Sequence, residues 1–423
     1  MTQPLPPIKT AAVVAVGSEL LGTTRVDTNS LYLSGRLGAL GIELRGKAVV
    51  GDDRAELARV FAGALATSGL VILTGGLGPT DDDVTRDAVT DVLQLEMTED
   101  PAIVAAIEAR FANRSLKMPA VNRKQAMVPA GAEVLPNANG TAPGLLLQHD
   151  GKIVVLLPGP PRELQAIFEK LVEPRLQQTA GQARVYRASL FVAGKGESHV
   201  EEIAQPLYST WRTGGFPIET TILAAPGQIE LHLSARSDDP VNAPRLITEA
   251  RDRLAGALGA DVFSTDGRSM EEVVGEMLRD RGLTISAAES CTGGLMMSRL
   301  TDVPGSSAWV LGGVVAYSNG SKTIFADVPA ELIEQHGAVS EPVAVALAEG
   351  VRTRAGSDIG VGITGIAGPS GGTPKKPVGT VAIAVIGPGG AARVRTLWLF
   401  GGRTQVKFNA TQAALDMVRR TLM

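Results

Sequence analysis

The stretch LTISAAESCTGG, residues 283–294, decides the fold of the C-terminal part of this chain. It begins as an apolar run, Leu283–Ala288, and passes directly into a polar turn that ends in two glycines. A buried strand that turns at once into a helix is the basic unit of a parallel α/β sheet. We therefore predict a strand up to Glu289, a helix over Gly293–Asp302, and Ser290 at the turn between them.

The same alternation of strand and helix patterns recurs along the rest of the chain. The predicted strands include Ala11–Gly17, Ile42–Val50, Lys152–Leu157, Gly312–Tyr317, Ile359–Thr364 and Gly379–Ile386, with helices between most of them. We predict a three-layer α/β domain over residues 1–178, a small α+β domain over 179–261, and a second three-layer α/β domain over 262–423. A polar stretch at 177–184 is the predicted linker.

Composition excludes several classes of protein. The 423 residues exceed what one core usually serves, and a net charge of -4 with 4% aromatic residues argues against a nucleic-acid-binding protein. The single cysteine, Cys291, allows neither an intramolecular disulfide nor a thiolate zinc site, which fits a reducing cytoplasm. No apolar run reaches the length of a membrane span, and Met1–Thr10 does not resemble a signal peptide. We expect a cytoplasmic protein and, from its glycine-rich α/β character, a homodimer.

Ser290 is the first candidate catalytic residue. The helix after it would direct its free N–H groups at the turn, which favours anions, and the adjacent glycines would let a substrate approach. The alternative is that Ser290 only caps that helix. A second loop, Tyr317–Lys322, follows another strand predicted to be buried and is expected at the same sheet edge. A desolvated Lys322 would serve as general base and Tyr317 would position the proton; alternatively Lys322 is a solvated surface charge and Tyr317 packs in the core.

A third loop, Thr364–Gly372, follows the strand predicted at Ile359–Thr364 and is rich in glycine. Its backbone N–H groups would hold a phosphate or a developing oxyanion, and Thr364 would supply a hydroxyl. Cys291 is a rival nucleophile, but its histidine candidate, His336, lies in a different motif, so a serine with a lysine explains the pattern better.

With these loops, the C-terminal domain resembles the CinA C-terminal, or nicotinamide-nucleotide amidohydrolase, family from about Ser269 to the end of the chain. The fragments that carry the resemblance are Ala288–Gly294, Gly305–Trp309, Tyr317–Asn319 with Lys322, His336–Pro342, Gly365–Pro369 and Lys376–Thr380.

The resemblance implies hydrolysis of nicotinamide mononucleotide to a carboxylate and ammonia, through an acyl-enzyme on Ser290 and with no metal or other cofactor. It implies Tyr317 and Lys322 as the activating pair and Thr364 as an oxyanion holder. The implied substrate-binding residues are Thr292, Gly293, Gly294, Asn319, Ser340, Gly365, Ala367, Gly368 and Arg403, the last for the 5′-phosphate.

The N-terminal domain has its own motif, Thr74–Thr85, in which a glycine turn is followed by three aspartates. Phosphate and carboxylates repel each other. A loop that carries carboxylates can therefore bind a phosphate when a hard divalent cation such as Mg²⁺ bridges the two. The alternative is an acidic first turn that complements a helix dipole.

Together with Gly17–Leu21, Asp27–Asn29, Val50–Asp53, Asn139–Gly144 and Pro158–Pro161, this loop resembles the molybdopterin-binding fold and, more closely, the CinA N-terminal domain. The resemblance implies metal-dependent hydrolysis of ADP-ribose to AMP and ribose 5-phosphate. It implies Asp52 and Asp83 as catalytic carboxylates and Asp52, Asp82 and Asp83 as ligands of Mg²⁺ or another divalent ion. The implied nucleotide contacts are Glu19, Asn29, Gly75, Gly76, Gly78 and Thr141.

Two alternatives stay open for the whole chain. One is a molybdopterin-handling enzyme, whose N-terminal site would bind a pterin; the run of aspartates at 81–83 and the appended domains disfavour it. The other is a competence or recombination partner that binds nucleotides only as signals. In the middle segment His199 and His232 lack a third metal ligand at suitable spacing, and we assign that segment to packing or subunit contact.

Overall fold

The computed structural model describes residues 5–6, 8–179, 183–211 and 216–423. The chain divides into two compact units, one made of Met1–Tyr186 with Arg236–Ala243 and the other of Arg187–Ala235 with Pro244–Met423. Both units combine helices with sheets, which confirms the predicted α/β class. The predicted linker at 177–184 and the N-terminal ten residues lie partly outside the described residues.

The first unit is built on a six-stranded sheet in the order β2-β1-β3-β8-β7-β6. The strands of this unit are β1 (Thr10–Val16), β2 (Glu43–Val50), β3 (Leu70–Thr74), β4 (Met97–Glu99), β5 (Met127–Pro129), β6 (Glu133–Leu135), β7 (Gly144–His149) and β8 (Lys152–Leu157). Strands β2, β1, β3 and β8 run parallel, whereas β7 and β6 are antiparallel additions. The short strands β4 and β5 pair separately.

Helices cover both faces of this sheet. They are α1 (Thr28–Ala39), α2 (Arg54–Thr67), α3 (Thr85–Leu93), α4 (Pro101–Ala112), α5 (Pro161–Ile167) and α6 (Glu173–Thr179). Successive strand residues point to opposite faces, so Val13 packs with α1, α5 and α6 while Val14 packs with α2, α3 and α4. The first unit therefore has three layers, as predicted.

The second unit begins with a small four-stranded sheet in the order β10-β11-β9-β12. Its elements are β9 (Arg184–Ala193), α7 (Glu197–Tyr208), β10 (Glu219–Ala225), β11 (Gln228–Ser237), α8 (Asn242–Leu258) and β12 (Val262–Ser264). Strand β12 pairs with β9, so the small sheet extends past the boundary predicted at residue 261. This segment has the α+β character expected from the sequence.

The rest of the second unit forms a five-stranded sheet in the order β14-β13-β15-β16-β17. The strands are β13 (Ile285–Glu289), β14 (Val310–Val315), β15 (Ile359–Gly365), β16 (Thr380–Ile386) and β17 (Ala392–Trp398). The helices are α9 (Met270–Arg281), α10 (Leu295–Thr301), α11 (Asn319–Ala326), α12 (Ala330–His336), α13 (Glu341–Ala355) and α14 (Arg403–Leu422). Strands β14, β13 and β15 are parallel, so their carboxyl ends meet at one edge.

Helices again cover both faces of this sheet. Helices α9, α10 and α14 bury one face, and α11, α12 and α13 bury the other. Helix α13 lies unusually close to β15, because a Cβ on Gly360 or Gly362 would collide with backbone carbonyls of the helix. This second three-layer arrangement also matches the prediction.

The structure corrects two details of the C-terminal prediction. Lys322 lies on α11 and not in a loop, because Ser318 caps that helix and exchanges hydrogen bonds with Ser321. Strand β14 is an edge strand whose residues alternate between half-buried and exposed, and is not the buried strand that was predicted. In the described ranges, helices are all too short or too polar to cross a membrane.

Candidate active sites

The hydroxyl of Ser290 and the amine of Lys322 lie within hydrogen-bond distance of each other at the carboxyl edge of the C-terminal sheet. Lys322 Nζ lies 3.2 Å from Ser290 Oγ, 3.1 Å from the carbonyl oxygen of Ala316 and 3.2 Å from that of Tyr317. Ser290 is 6% exposed and Lys322 is 2% exposed. Strand β13 fixes the serine, whose N–H donates to Ile363 O on β15. The predicted pairing of these two side chains is therefore present in the structure.

The surroundings of Lys322 favour its neutral amine. Burial lowers the pKa of Lys322 below its usual 10.5 because the charged form loses hydration. A neutral amine has two N–H donors and one lone pair. The carbonyls of Ala316 and Tyr317 accept the two donors, which directs the lone pair toward Ser290 Oγ. This arrangement allows Lys322 to remove the hydroxyl proton from Ser290.

Glu289 occupies the N-terminus of α10. Its buried carboxylate accepts hydrogen bonds from the N–H groups of Gly294, Met296 and Met297 at 2.9 to 3.1 Å. The sequence predicted that these N–H groups would be free for an anion, and that prediction is wrong because the chain supplies its own carboxylate. An acidic residue a few positions before the predicted helix was the available signal. Glu289 therefore fixes the turn that carries Ser290.

Cys291 does not have the properties of a nucleophile. It is 5% exposed, and burial raises the pKa of its thiol to about 11, which keeps it protonated. Its sulfur packs against Gly365, where a Cβ would lie 3.0 Å from Sγ. The next residue, Thr292, is fully buried, and no hydrogen-bond partner of its hydroxyl is found in the described part of the chain. Thr292 can therefore donate to a substrate oxygen that reaches it.

The phenol of Tyr317 faces Arg403 and is not bonded to Lys322. Its hydroxyl accepts a hydrogen bond from Arg403 Nη2 at 3.1 Å, and the same guanidinium donates through Nη1 to Gly368 O at 2.8 Å. Only the main-chain carbonyl of Tyr317 contacts Lys322. Tyr317 and Arg403 thus form an exposed rim that joins the predicted glycine loop to the Ser290 edge. Asn319 lies exposed in the first turn of α11.

The remaining predicted C-terminal residues organise the loops around this edge. Thr364 is buried at the end of β15 and donates to Ala338 O at 2.7 Å, and Ser340 donates to Gly337 O. Gly365 pairs with Val381 on β16 and has no room for a side chain. Ala367 and Gly368 are buried in the loop that follows. The hydroxyl proton of Thr364 is therefore already donated to the segment at residues 337–340, so this side chain is not free to hold an oxyanion as predicted.

Lys407 is a residue that sequence analysis missed. It lies one turn after Arg403 on α14, so both cations project from the same side of that helix. Its Nζ would be 3.6 Å from a Cβ on Gly293, which places it beside the turn that carries Ser290. A single lysine near the start of a long helix has no sequence signal of its own. Arg403 and Lys407 together make a cationic group near the serine.

In the first unit, the glycine turn at 75–78 depends on its glycines and on Asp83. Gly75 and Gly76 have positive φ angles of 98° and 64°, and a Cβ on either would collide with Val16 O or Thr85 Oγ1. Asp83 accepts from Gly78 N at 2.7 Å, from Thr80 N at 2.9 Å and from Thr80 Oγ1 at 2.6 Å. Both of its carboxylate oxygens therefore hold the loop.

Most of the predicted N-terminal residues line one cavity of about 350 Å³, which we call the central cavity. Its lining includes Glu19, Asp52, Gly75, Gly76, Gly78, Asp82, Asp83 and Thr141. Asp52 accepts from Ser18 N through Oδ2 at 2.8 Å, and hydrogen bonding to Thr80 lowers the pKa of Asp82. Asn29 lies outside this group, in an adjoining cavity. The predicted residues are therefore split between two neighbouring cavities.

The donor set of the central cavity fits a hard cation that also binds phosphate. Its ionisable lining is carboxylate, from Glu19, Asp52, Asp82, Asp83 and Glu163. Within the described ranges, no three acidic, histidine or cysteine side chains lie close enough to form a complete ligand cage. Mg²⁺ is usually held by one or two carboxylates together with substrate phosphates and water. Asp52 and Asp82 are the carboxylates that would hold it here, with Asp83 fixing the loop beside them.

His232 of the middle segment makes a small polar cluster. Ser189 Oγ lies 3.0 Å from its Nδ1, and Glu230 Oε2 lies 3.0 Å from its Nε2. All three side chains stand on neighbouring strands of the small sheet. His199 lies exposed on α7. The cluster explains His232 by packing and hydrogen bonding, as sequence analysis expected.

The two units thus combine a buried serine–lysine pair in one α/β domain with a glycine turn and carboxylates in another. Residues 267–422 match the family described as "CinA C-terminal domain", and residues 12–178 match the family described as "Probable molybdopterin binding domain". The first of these domains contains Ser290 and Lys322, and the second contains the central cavity.

Relatives match almost the whole chain. A CinA-like protein of Koribacter versatilis is 47% identical over 417 residues, which cover 98% of this chain and 100% of that protein. A CinA-like protein of Solibacter usitatus is 42% identical over 412 residues, covering 97% and 98%. A solved structure of the protein CinA, with unknown function, from Thermoplasma acidophilum is 33% identical and covers 40% of this chain and 99% of that chain, with a TM-score of 0.38. The chain belongs to the CinA family.

Proposed function

We propose that this protein is a hydrolase with two sites, of which the C-terminal one deamidates nicotinamide mononucleotide. The observation that carries the amidase proposal is the 3.2 Å contact between the buried amine of Lys322 and the hydroxyl of Ser290. A lysine with a lowered pKa beside a serine is a recognised way to activate a serine nucleophile. The description of the family names no reaction, so the amidase proposal depends on this geometry and on the sequence resemblance.

The proposed reaction follows from these contacts. Neutral Lys322 takes the proton of Ser290 as Oγ attacks the carboxamide carbon, and the carbonyl oxygen becomes an oxyanion. We expect the hydroxyl of Thr292, which has no partner among the described residues, to donate a hydrogen bond to that oxygen. The protonated Lys322 then gives its proton to the leaving nitrogen, which departs as ammonia, and an ester on Ser290 remains. Water attacks the ester with Lys322 again as base, which releases the carboxylate and restores Ser290.

The substrate phosphate suits the rim of this site. Arg403 and Lys407 are the cations nearest to the Ser290 turn on α14, and a guanidinium with a neighbouring ammonium is a common phosphate-binding pair. Because Glu289 fills the start of α10, the phosphate is assigned to these side chains and not to that helix terminus. The nicotinamide ring would then lie between the rim and Ser290.

For the N-terminal unit we propose hydrolysis of ADP-ribose to AMP and ribose 5-phosphate. The central cavity combines a glycine turn, which can accept phosphate oxygens, with carboxylates that suit a divalent cation. When bound, the cation would neutralise the diphosphate and lower the pKa of an attacking water. Asp52 lies beside the turn and would orient that water. The cytoplasmic location and the homodimer remain predictions.

The test uses the purified full-length protein and two substrates. Incubation with nicotinamide mononucleotide should release ammonia, and rapid acid quenching followed by peptide mass analysis should find the acyl group on Ser290. Incubation with ADP-ribose and Mg²⁺ should release AMP and ribose 5-phosphate. Absence of ammonia release would remove the amidase proposal, and absence of AMP would remove the pyrophosphatase proposal, each independently of the other.

A further inference from the structure

Three adjoining cavities run through the N-terminal unit. The central cavity shares Glu19, Gly159 and Pro160 with a cavity of about 360 Å³, which we call the polar cavity. It also shares Thr141 with a cavity of about 370 Å³, which we call the apolar cavity. Each has the volume of an ordinary small-ligand pocket. A molecule bound through phosphates in the central cavity therefore has space for a group at each end.

The apolar cavity has an aliphatic floor. Ile103 and Ile107 from α4 and Val134 from β6 line it, together with Ala102 and Ala106. Three of its polar side chains each make a hydrogen bond within the protein: Asp100 caps α4, Arg110 donates to Ala138 O, and Asn137 donates to Ala142 O. This cavity suits a flat, largely apolar group and offers little to a group that must hydrogen-bond on all sides.

The polar cavity has the opposite character. Glu19, Arg25, Asp27, Thr28 and Asn29 line it. The Nδ2 group of Asn29 donates to Gly159 O at 2.7 Å. Its buried Oδ1 accepts no hydrogen bond from the residues that the structure describes. An unpaired buried acceptor calls for a donor from a ligand. Sugar hydroxyls are such donors, and the carboxylates of Glu19 and Asp27 can accept from others.

We propose that the substrate lies across these cavities in one direction, with its nucleobase in the apolar cavity and its free ribose in the polar cavity. The proposal rests on the ADP-ribose hydrolysis proposed above, since it assigns the two ends of that substrate. The diphosphate then lies in the central cavity beside Asp52 and the glycine turn. The reverse direction would press the hydroxyls of the free ribose against the aliphatic side chains of Ile103 and Ile107.

Two neighbouring alanines of α4 allow a matched test. Ala105 and Ala106 are both exposed, but only Ala106 lines the apolar cavity. Ala106→Trp would fill the space that the base needs, whereas Ala105→Trp places the same indole on the helix surface outside it. Binding of AMP and of ribose 5-phosphate, each with Mg²⁺, is measured by calorimetry on the full-length wild type and both variants. Equal melting temperatures confirm that the variants are folded.

We expect Ala106→Trp to weaken AMP binding by at least about tenfold, because a filled cavity cannot also hold the base. Its ribose 5-phosphate affinity should stay at the wild-type value, and Ala105→Trp should bind both ligands normally. Asn29→Ala should show the reverse pattern and weaken ribose 5-phosphate binding with AMP binding retained.

Three results would overturn the assignment: unchanged AMP affinity in Ala106→Trp, loss of ribose 5-phosphate binding instead, or absence of AMP binding by the wild type. Hydrolysis of ADP-ribose by the wild type is scored separately. If the wild type hydrolyses ADP-ribose and Ala106→Trp still binds AMP normally, only the direction of binding is wrong. If the wild type does not hydrolyse ADP-ribose, the proposed function fails, while the binding data still report on what the apolar cavity holds.

Discussion

The C-terminal and N-terminal sites differ most in how they treat their charged groups. Lys322 and Ser290 are almost completely buried, and the amine is pushed toward its neutral form. In the N-terminal unit Glu19 and Asp82 are exposed, and hydrogen bonding lowers the pKa of Asp82, which keeps it ionised. The C-terminal domain thus favours the uncharged form of Lys322, whereas the N-terminal domain keeps negatively charged carboxylates at the surface of its cavity.

This difference follows from the chemistry proposed for each site. A lysine acts as a base only when it is uncharged, and burial is the means of achieving that near neutral pH. Carboxylates that hold a cation must stay charged, and solvent exposure with hydrogen-bond donors favours that state. The degree of burial of each titratable group therefore matches the charge state that its proposed task requires.

Ser290→Ala should reduce ammonia release from nicotinamide mononucleotide by roughly 10³-fold or more, because it removes the nucleophile. AMP production from ADP-ribose should remain at the wild-type level. Cys291→Ser, at the adjacent residue, is the matched control and should keep most of the amidase activity. Steady-state assays of both products check this, and a variant at Ser290 that loses both activities while folded would contradict the separation of the sites.

Lys322→Met and Lys322→Arg should each lower the amidase kcat by about 10²- to 10⁴-fold, because neither side chain supplies a neutral amine. In the wild type, kcat/KM should rise with pH as Lys322 loses its proton, with a midpoint below 10.5. A flat pH profile from pH 6 to 10 would contradict the assignment of Lys322 as base.

The same lysine predicts a pH-dependent stability difference. Its pKa is lower in the folded than in the unfolded protein, so the folded state binds fewer protons between the folded-state pKa and about pH 10.5. The resulting loss of stability grows as the pH falls from 10.5 through the folded-state pKa and is absent above 10.5. Lys322→Met should therefore be at least as stable as the wild type at pH 7, with a smaller advantage at pH 10. Urea unfolding at both values measures this difference.

Asp52→Asn should lower ADP-ribose hydrolysis by about 10²-fold, as expected for loss of a water-orienting carboxylate, without affecting ammonia release. Asp81→Asn is the control, since Asp81 is exposed and is not part of the lining of the central cavity. Kinetics over a Mg²⁺ titration provide the measurement. Equal effects of both substitutions would indicate general loop electrostatics and not a specific role of Asp52.

Arg403→Met and Lys407→Met should each raise the KM for nicotinamide mononucleotide by roughly tenfold, the value of one lost charge-assisted hydrogen bond. The KM for nicotinamide riboside, which lacks the phosphate, should not change. Competition assays with the two substrates check the difference. A parallel rise for both substrates would show that these cations only shape the rim.

Glu289→Gln should give the smallest effect on activity and a measurable effect on stability. The amide replaces one acceptor oxygen by a donor that faces the N–H groups at the start of α10. We expect about 1–3 kcal/mol less stability toward urea and a reduction in amidase kcat of several fold, with little change in KM. Glu334→Gln, exposed on α12, is the control. Unchanged stability would show that Glu289 does not hold the turn.

The sequence was sufficient for the layout of both large domains. Apolar runs such as Leu283–Ala288 and the helical spacing of apolar residues between the strands depend on local chemistry, so the strands and the covering helices could be read directly. The Ser290 turn and the glycine turn at 75–78 were visible for the same reason, because each needs particular residues at consecutive positions. The family motifs then supplied the correct partner, Lys322, from 32 residues away.

Only the tertiary structure decided how the polar groups are shared. Glu289 accepts hydrogen bonds from the helix N–H groups that were predicted to be free, and Tyr317 accepts one from Arg403. Both carboxylate oxygens of Asp83 accept hydrogen bonds within its own loop. Lys407 lies beside the Ser290 turn because of how α14 packs, and no local sequence pattern indicates this position. Hydrogen-bond partners depend on distances between segments that are far apart in the chain. Sequence spacing therefore predicts which groups reach a site, and the folded packing determines which of them remain available to a substrate.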